Sequence, residues 1–140
     1  MMKLNRVACA TALLTLCGGV AADDLTGSQS FICTGWHAVA CNTEGVCDNT
    51  EAWKLNMPDF LRVDLRGKEL FTPEGSDQPR ASPIESIARE DNMLYLNGRQ
   101  GTRGWSWIVN EASGEGTLAL VSENSSVTIF TACTSMEGLE

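Results

Sequence analysis

The chain has 140 residues, with 18 acidic side chains against 10 basic ones and a net charge of −8. That balance argues against nucleic-acid binding, which needs clustered cations to neutralise phosphates, and against anionic membrane surfaces. The acids are spread along the sequence, so solubility explains them; attraction to cationic partners is permitted by the charge and not required by it.

The first segment, MMKLNRVACATALLTLCGGVAADD, reads as an export signal. Lys3 and Arg6 give a positive start, Val7 to Leu16 an apolar middle, and Val20-Ala21-Ala22 a small-residue cleavage site. A permanent anchor needs roughly 20 apolar residues, whereas Val7 to Ala22 is sixteen residues interrupted by Thr11, Thr15, Gly18 and Gly19. Lipidation on Cys17 would normally follow a small residue, whereas Leu16 stands there. Cleavage after Ala22 leaves residues 23–140 as one domain, expected to be periplasmic or secreted and monomeric, without stable membrane insertion. A chain of that length can bury a substantial core.

From Gln29 onward, short apolar or alternating runs are separated by turn signals: QSFICTGW, AWKLNM, FLRVDL, KELFT, IESIAR, MLYLNG, GWSWIVN, GTLALVS and SVTIFTAC. FLRVDL is the clearest, with Leu61, Val63 and Leu65 on one face and Arg62 and Asp64 on the other. RGK, PEGSDQP, EDN and ASGEG supply turn chemistry between runs. One helical turn within Pro83 to Arg89 is an alternative, because Ile84, Ile87 and Ala88 fit either period. Strand starts at roughly 8- to 12-residue spacing predict an all-β antiparallel fold. Short connections favour a meander closed into a barrel of about eight strands, since closure removes exposed edges; a β-sandwich is the alternative.

Cys9 and Cys17 fall within the signal, leaving Cys33, Cys41, Cys47 and Cys133, an even number that reads as a disulfide framework in an exported chain. Cys41 and Cys47 flank the short loop NTEGV, which leaves Cys33 in the first strand run to pair with Cys133 in the last. In the chain-entropy model, closing a loop of about 100 residues is worth roughly 4 to 5 kcal/mol. A zinc cluster lacks its spacings, with no C-x-x-C and His37 as the only histidine.

An export signal, a strand bearing a cysteine, two cysteines around a short loop, a β meander containing GWSW, a turn such as NEASGEG and a final cysteine strand resemble small exported bacterial proteins with β-rich bodies. The resemblance covers most of the mature chain and implies an envelope location and a β-rich domain. The architecture is also loosely similar to periplasmic lysozyme inhibitors, which are small disulfide-bonded antiparallel barrels. No stretch of this chain matches their inhibitory loop, so neither resemblance carries over site residues.

The sequence offers little catalytic chemistry. There is no G-x-S-x-G elbow and no S-x-x-K, and His37, beside Trp36, is the sole histidine base for Ser or Cys chemistry. It reads as a strand-end or loop residue without catalytic duty. Glu44, Asp48 and Glu51 lack the regular oxygen spacing of a calcium loop and read as solvated acids. No glycine-rich phosphate loop opens a helix. The expectation is a non-enzyme without metal or cofactor.

The stretch NGRQGTRGWSWIVN carries the candidate site. Trp105, Trp107 and Val109 share one strand face and form a natural core stripe, while GRQGTRG supplies a hairpin turn. The functional alternative is a tip where Arg99, Arg103 and a tryptophan, Trp105, face outward together as a binding spot for carboxylate or phosphate. The leading expectation is a non-catalytic binding protein of the bacterial envelope that engages an envelope protein through loop tips. The second is an inhibitor of a basic cell-wall hydrolase. The third is a carrier of small apolar ligands, with Phe31, Trp36, Trp53, Leu94 and Leu96 lining a barrel interior.

Overall fold

A computed structural model describes residues 24–138. The expected signal, its cleavage site and Cys17 lie outside the described residues. Among those described, nine strands form one antiparallel sheet: β1 (Ser30–Asn42), β2 (Cys47–Thr50), β3 (Leu61–Asp64), β4 (Glu69–Phe71), β5 (Ala81–Glu90), β6 (Met93–Gln100), β7 (Arg103–Asn110), β8 (Glu115–Val121) and β9 (Ser125–Ser135). Hydrogen bonding runs β1-β3-β4-β5-β6-β7-β8-β9 and returns from β9 to β1, closing an eight-stranded barrel. β2 is an extra strand. It pairs with Ala38–Cys41 on the same edge of β1 that carries β3 at Ser30–Cys33.

Each disulfide joins residues that face each other directly across a strand pair. Cys33 opposes Cys133 in the β1–β9 seam, and Cys41 opposes Cys47 in the β1–β2 hairpin. The first bond therefore locks the seam that turns the sheet into a barrel.

Alternation explains most of the core. Val63 and Leu65, Leu94 and Leu96, and Trp105, Trp107 and Val109 all point inward at two-residue spacing and are buried. Trp107 donates its indole N–H to Thr131 Oγ1 at 3.1 Å, and Trp105 donates to Ser82 Oγ at 3.0 Å, so both buried rings have their polar atom satisfied. Two glycines make room for these rings. A Cβ on Gly98 would strike the Trp105 ring and the Pro83 carbonyl, and one on Gly116 would fall 3.0 Å from Trp107 Nε1.

Two irregularities break the alternation. The β5–β6 register shifts between Ile84 and Ser86, so Ile84 and Ile87 both face the interior although they are three residues apart. That spacing is what imitates a helical period. The segment is a strand, not a helical turn. The β1–β9 register shifts between Gly35 and His37, which leaves Trp36 standing out from the wall. A third departure is AWKLNM, expected as a strand: Ala52–Leu55 is a 3-10 turn ended by Asn56 in the left-handed region. The cysteine-flanked segment instead contributes β2.

The barrel is plugged at the end where Leu25 is buried. Its N–H donates to the Glu111 carbonyl at 2.6 Å, while Arg89 Nε bonds the buried Glu111 carboxylate at 2.9 Å and Arg89 Nη2 reaches the Ser28 carbonyl. The opposite end carries the candidate site.

Candidate functional site at the open end of the barrel

At this opposite end the inward-facing positions of five consecutive strands run out past the last core layer. On β5 the series Ile84 and Ser82 continues to Arg80; on β6 it reaches Gln100; on β7 Trp105 is preceded by Arg103; on β8 Leu118 and Leu120 lead to Ser122; on β9 Ile129 and Val127 lead back to Ser125. Gln100 and Arg103 oppose each other across the Gly101-Thr102 turn, where Gly101 takes φ +60. The Ser122 and Ser125 hydroxyls lie 2.7 Å apart across the β8–β9 turn. Arg80 is fixed by its backbone: its N–H donates to Thr72 Oγ1 and its carbonyl accepts from the Thr72 N–H, both at 3.0 Å. Its guanidinium gives one hydrogen bond to Gln78 Oε1 at 3.2 Å.

The floor between these rim groups is apolar. Asn56, at φ 58, reverses the chain so that Leu55 and Met57 pack against the core from this end, beside Leu120 and Val127. Two adjoining depressions result. The larger, about 260 Å³, lies towards Leu55, Ser122 and Ser125; the smaller, about 60 Å³, dips towards Leu70, Trp105 and Leu118. Met57, Arg80, Arg103 and Leu120 border both, and among the described residues no acidic one lines either.

That last fact separates this end from the rest of a strongly acidic molecule. Lys54 pairs with Glu51 at 2.9 Å, Arg89 with Glu111 at 2.9 Å and Arg99 with Glu85 at 2.7 Å. Arg80 and Arg103 make no ion pair among the described residues, and neither do Arg66 and Lys68 by the β3–β4 turn; Arg80 and Arg103 differ in bordering hollows whose described lining holds no acid. The hydrogen bond from Arg99 to Glu85, and then the charge of that carboxylate, hold the Arg99 guanidinium above its ordinary value.

The expected tip of Arg99, Arg103 and Trp105 is therefore divided by strand alternation. Arg99 lies on the outer phase of β6 and is bound to Glu85; Trp105 faces inward and is 6% exposed; Arg103 lies on the inner phase and caps the barrel end. Arg103 and Trp105 do share the smaller depression, the ring as a wall and the cation at the lip. Arg80, Gln100, Ser122, Ser125 and Met57 were not singled out from sequence. The available signal is that four of the five, all but Met57, sit two residues beyond a core position on the same strand face.

Of the residues expected to line a ligand-filled interior, Phe31, Leu94 and Leu96 face in, but Trp36 and Trp53 are each 63% exposed on the outside. The inner space beside Trp107, Leu118 and Ile129 is a void of only about 10 Å³, against the roughly 300 Å³ or more of an ordinary small-molecule pocket. The barrel is filled by its own side chains.

Outside the wall, Trp36, His37 and Phe130 form a cluster of three rings whose centroids are 5.8, 5.9 and 6.1 Å apart. A third feature lies beside the basic end, where the 57–60 and 73–78 connections enclose an open groove of about 340 Å³ bordered by Asp59, Glu74, Asp77 and Phe60.

No protein-family model matches the chain, and no curated protein sequence matches it.

Proposed function

We propose that this chain is an exported, non-catalytic binding protein of the bacterial envelope, working in a periplasmic or extracellular compartment and engaging its partner at the Arg80–Arg103 end of the barrel. The two disulfides fit an oxidising compartment. The observation that carries the reading is the gathering of two arginines that have no acidic partner among the described residues, two hydroxyls and an amide around an apolar floor. Such a rim offers charge-assisted donors in a fixed arrangement, and the floor offers desolvation. Its chemistry is recognition.

The test is capture from envelope extract on the immobilised oxidised protein, with wild type, the Arg80→Ala/Arg103→Ala double variant and Arg99→Ala run in parallel. A component retained by wild type and by Arg99→Ala but lost with the double variant supports the reading. Equal capture by all three, or capture by none, contradicts it.

The acidic groove favours a second reading, inhibition of a basic cell-wall hydrolase. Asp59, Glu74 and Asp77 on two neighbouring loops, with Phe60 51% exposed beside them, form an anionic border suited to a cationic partner surface. That reading predicts salt-sensitive inhibition of a lysozyme that weakens on Asp59→Asn with Glu74→Gln. No inhibition at low salt contradicts it.

A further inference from the structure

We infer that the ligand group held at the basic end is a carboxylate that carries a short branched apolar group beside it, as at the C-terminus of a peptide ending in valine or leucine. This deepens the binding reading above and rests on it.

Three features set the ligand class. First, Arg80 and Arg103 border both depressions, so their guanidiniums can converge on one anion between the two hollows. A guanidinium presents planar paired donors that match the two oxygens of a carboxylate, and Arg80 uses only one hydrogen bond on Gln78. Second, the smaller depression continues inward from that point along Leu70, Trp105 and Leu118, but holds only about 60 Å³. An enclosed cavity of roughly 150 Å³ accommodates benzene, so a hollow this small suits a short aliphatic side chain better than a ring. Third, the larger depression leads the other way, past Ser122, Ser125 and Asn56. Hydroxyl and amide groups there can exchange hydrogen bonds with a peptide backbone, which alternates donors and acceptors.

The geometry thus orders three parts of one ligand: an anion at the shared lip, a small apolar group inward, and a polar chain outward along the serines. An inorganic anion would use the first part only. A fatty acid would place its carboxylate correctly, but its chain exceeds the smaller hollow and would have to run outward past the Ser122 and Ser125 hydroxyls, leaving them without the partners a peptide offers. The absence of acids along both depressions matters here, since an acidic wall would repel the same carboxylate.

The experiment is calorimetric titration of the purified oxidised protein with N-acetyl-Gly-Gly-Val as free acid. The same peptide as its C-terminal amide, N-acetyl-Gly-Gly-Phe acid, sodium acetate, inorganic phosphate and a dispersed long-chain fatty acid serve as comparators. The expected result is saturable binding of the valine acid, at least tenfold weaker for the amide and for the phenylalanine acid. Arg80→Ala and Arg103→Ala each weaken the valine acid at least tenfold, and Arg99→Ala leaves it within twofold. Circular dichroism and melting of each variant show whether the barrel persists, and the conservative Arg103→Lys, which keeps charge and loses the planar fork, gives an intermediate loss. Equal binding of acid and amide overturns the inference. So does acetate or phosphate binding as tightly as the peptide, or the fatty acid binding more tightly. If the peptide fails to bind while an envelope component is still captured in an Arg80- and Arg103-dependent way, the ligand class is wrong and the binding reading stands. If both fail, both fall.

Discussion

Arg99 and Arg103 lie four residues apart on one hairpin and serve opposite surfaces of the barrel. Arg99 reaches along the outer wall to Glu85 at 2.7 Å, whereas Arg103 caps the interior column above Trp105. The two side chains fall in opposite phases because a two-residue turn separates their strands, so that Gln100 opposes Arg103 and Arg99 opposes Gly104. Charge alone does not distinguish them; phase does.

A difference in behaviour follows. Arg99→Ala removes an exposed ion pair, which solvent screening leaves with little effect on stability. Its melting temperature is expected within a degree or two of wild type, with partner capture intact. Arg103→Ala is expected to leave stability similarly unchanged while abolishing capture. Thermal melts and capture on the two single variants check this; a loss of capture from Arg99→Ala would contradict the assignment.

The indole of Trp107 supplies a stability prediction. Its ring is fully buried and its N–H has Thr131 Oγ1 as acceptor. Thr131→Val keeps the shape and removes the acceptor, leaving a buried donor unsatisfied at a cost of about 1 to 3 kcal/mol. Thr131→Ser keeps the hydroxyl and should lose less. Urea unfolding of the two variants measures the difference, and equal losses would mean that packing, not the hydrogen bond, matters at this position.

Glycine makes the neighbouring prediction. Gly116→Ala places a methyl 2.8 Å from the Ile108 carbonyl oxygen and 2.9 Å from Thr131 Oγ1, inside ordinary contact distance. Gly104→Ala on the adjacent strand meets nothing within 4 Å. The first is expected to destabilise by about 1 to 3 kcal/mol, as overpacking does, and the second by a few tenths at most. Paired melts of the two alanine variants read this directly.

The two disulfides are unequal. Cys33–Cys133 spans 100 residues and Cys41–Cys47 spans 6. In the chain-entropy model the first contributes about 4.7 kcal/mol and the second roughly 2. Replacing both members of the first pair by alanine should therefore lower the unfolding free energy more, and loosen the β1–β9 seam as seen by amide exchange at Thr34 and Ala132. If removal of the hairpin bond is the costlier change, the seam is not the main constraint.

Asp24 gives a pH-dependent signal at the plugged end. Hydrogen bonds from Thr26, side chain first and then the backbone N–H at 2.9 Å, hold its carboxyl below the usual aspartate value. Because the folded group titrates below the unfolded one, its contribution is complete above the unfolded value and is lost as pH falls through the folded one. An NMR titration should show the Thr26 amide following Asp24 at a midpoint below that of a model aspartate, and Asp24→Asn should remove the transition.

Much of the fold was legible because burial on one face imposes alternation. FLRVDL and GWSWIV announce their inward residues directly, and the cysteine pairing followed from which loop could close on itself. What escaped did so for local geometric reasons. A bulge beside Glu85 places Ile84 and Ile87 on the same side and disguises a strand as a helical turn. A second bulge leaves Trp36 on the outer wall, although it reads as an interior residue. The cysteine-flanked loop hid β2, whose sequence CDNT has no apolar stripe. The site was half visible. Arg103 and Trp105 stand in one motif, but Arg80, Ser122 and Ser125 join them only once the sheet closes and brings five strand ends around one opening.

Site location is the claim on which the account depends, and amide chemical-shift mapping of the oxidised protein during titration with N-acetyl-Gly-Gly-Val acid tests it most directly. The account predicts shifts concentrated at Asn56 and Met57, at Arg80, from Gln100 to Arg103 and from Val121 to Ser125, all saturating with one midpoint. Saturable shifts centred instead on Trp36, His37 and Phe130 would contradict it.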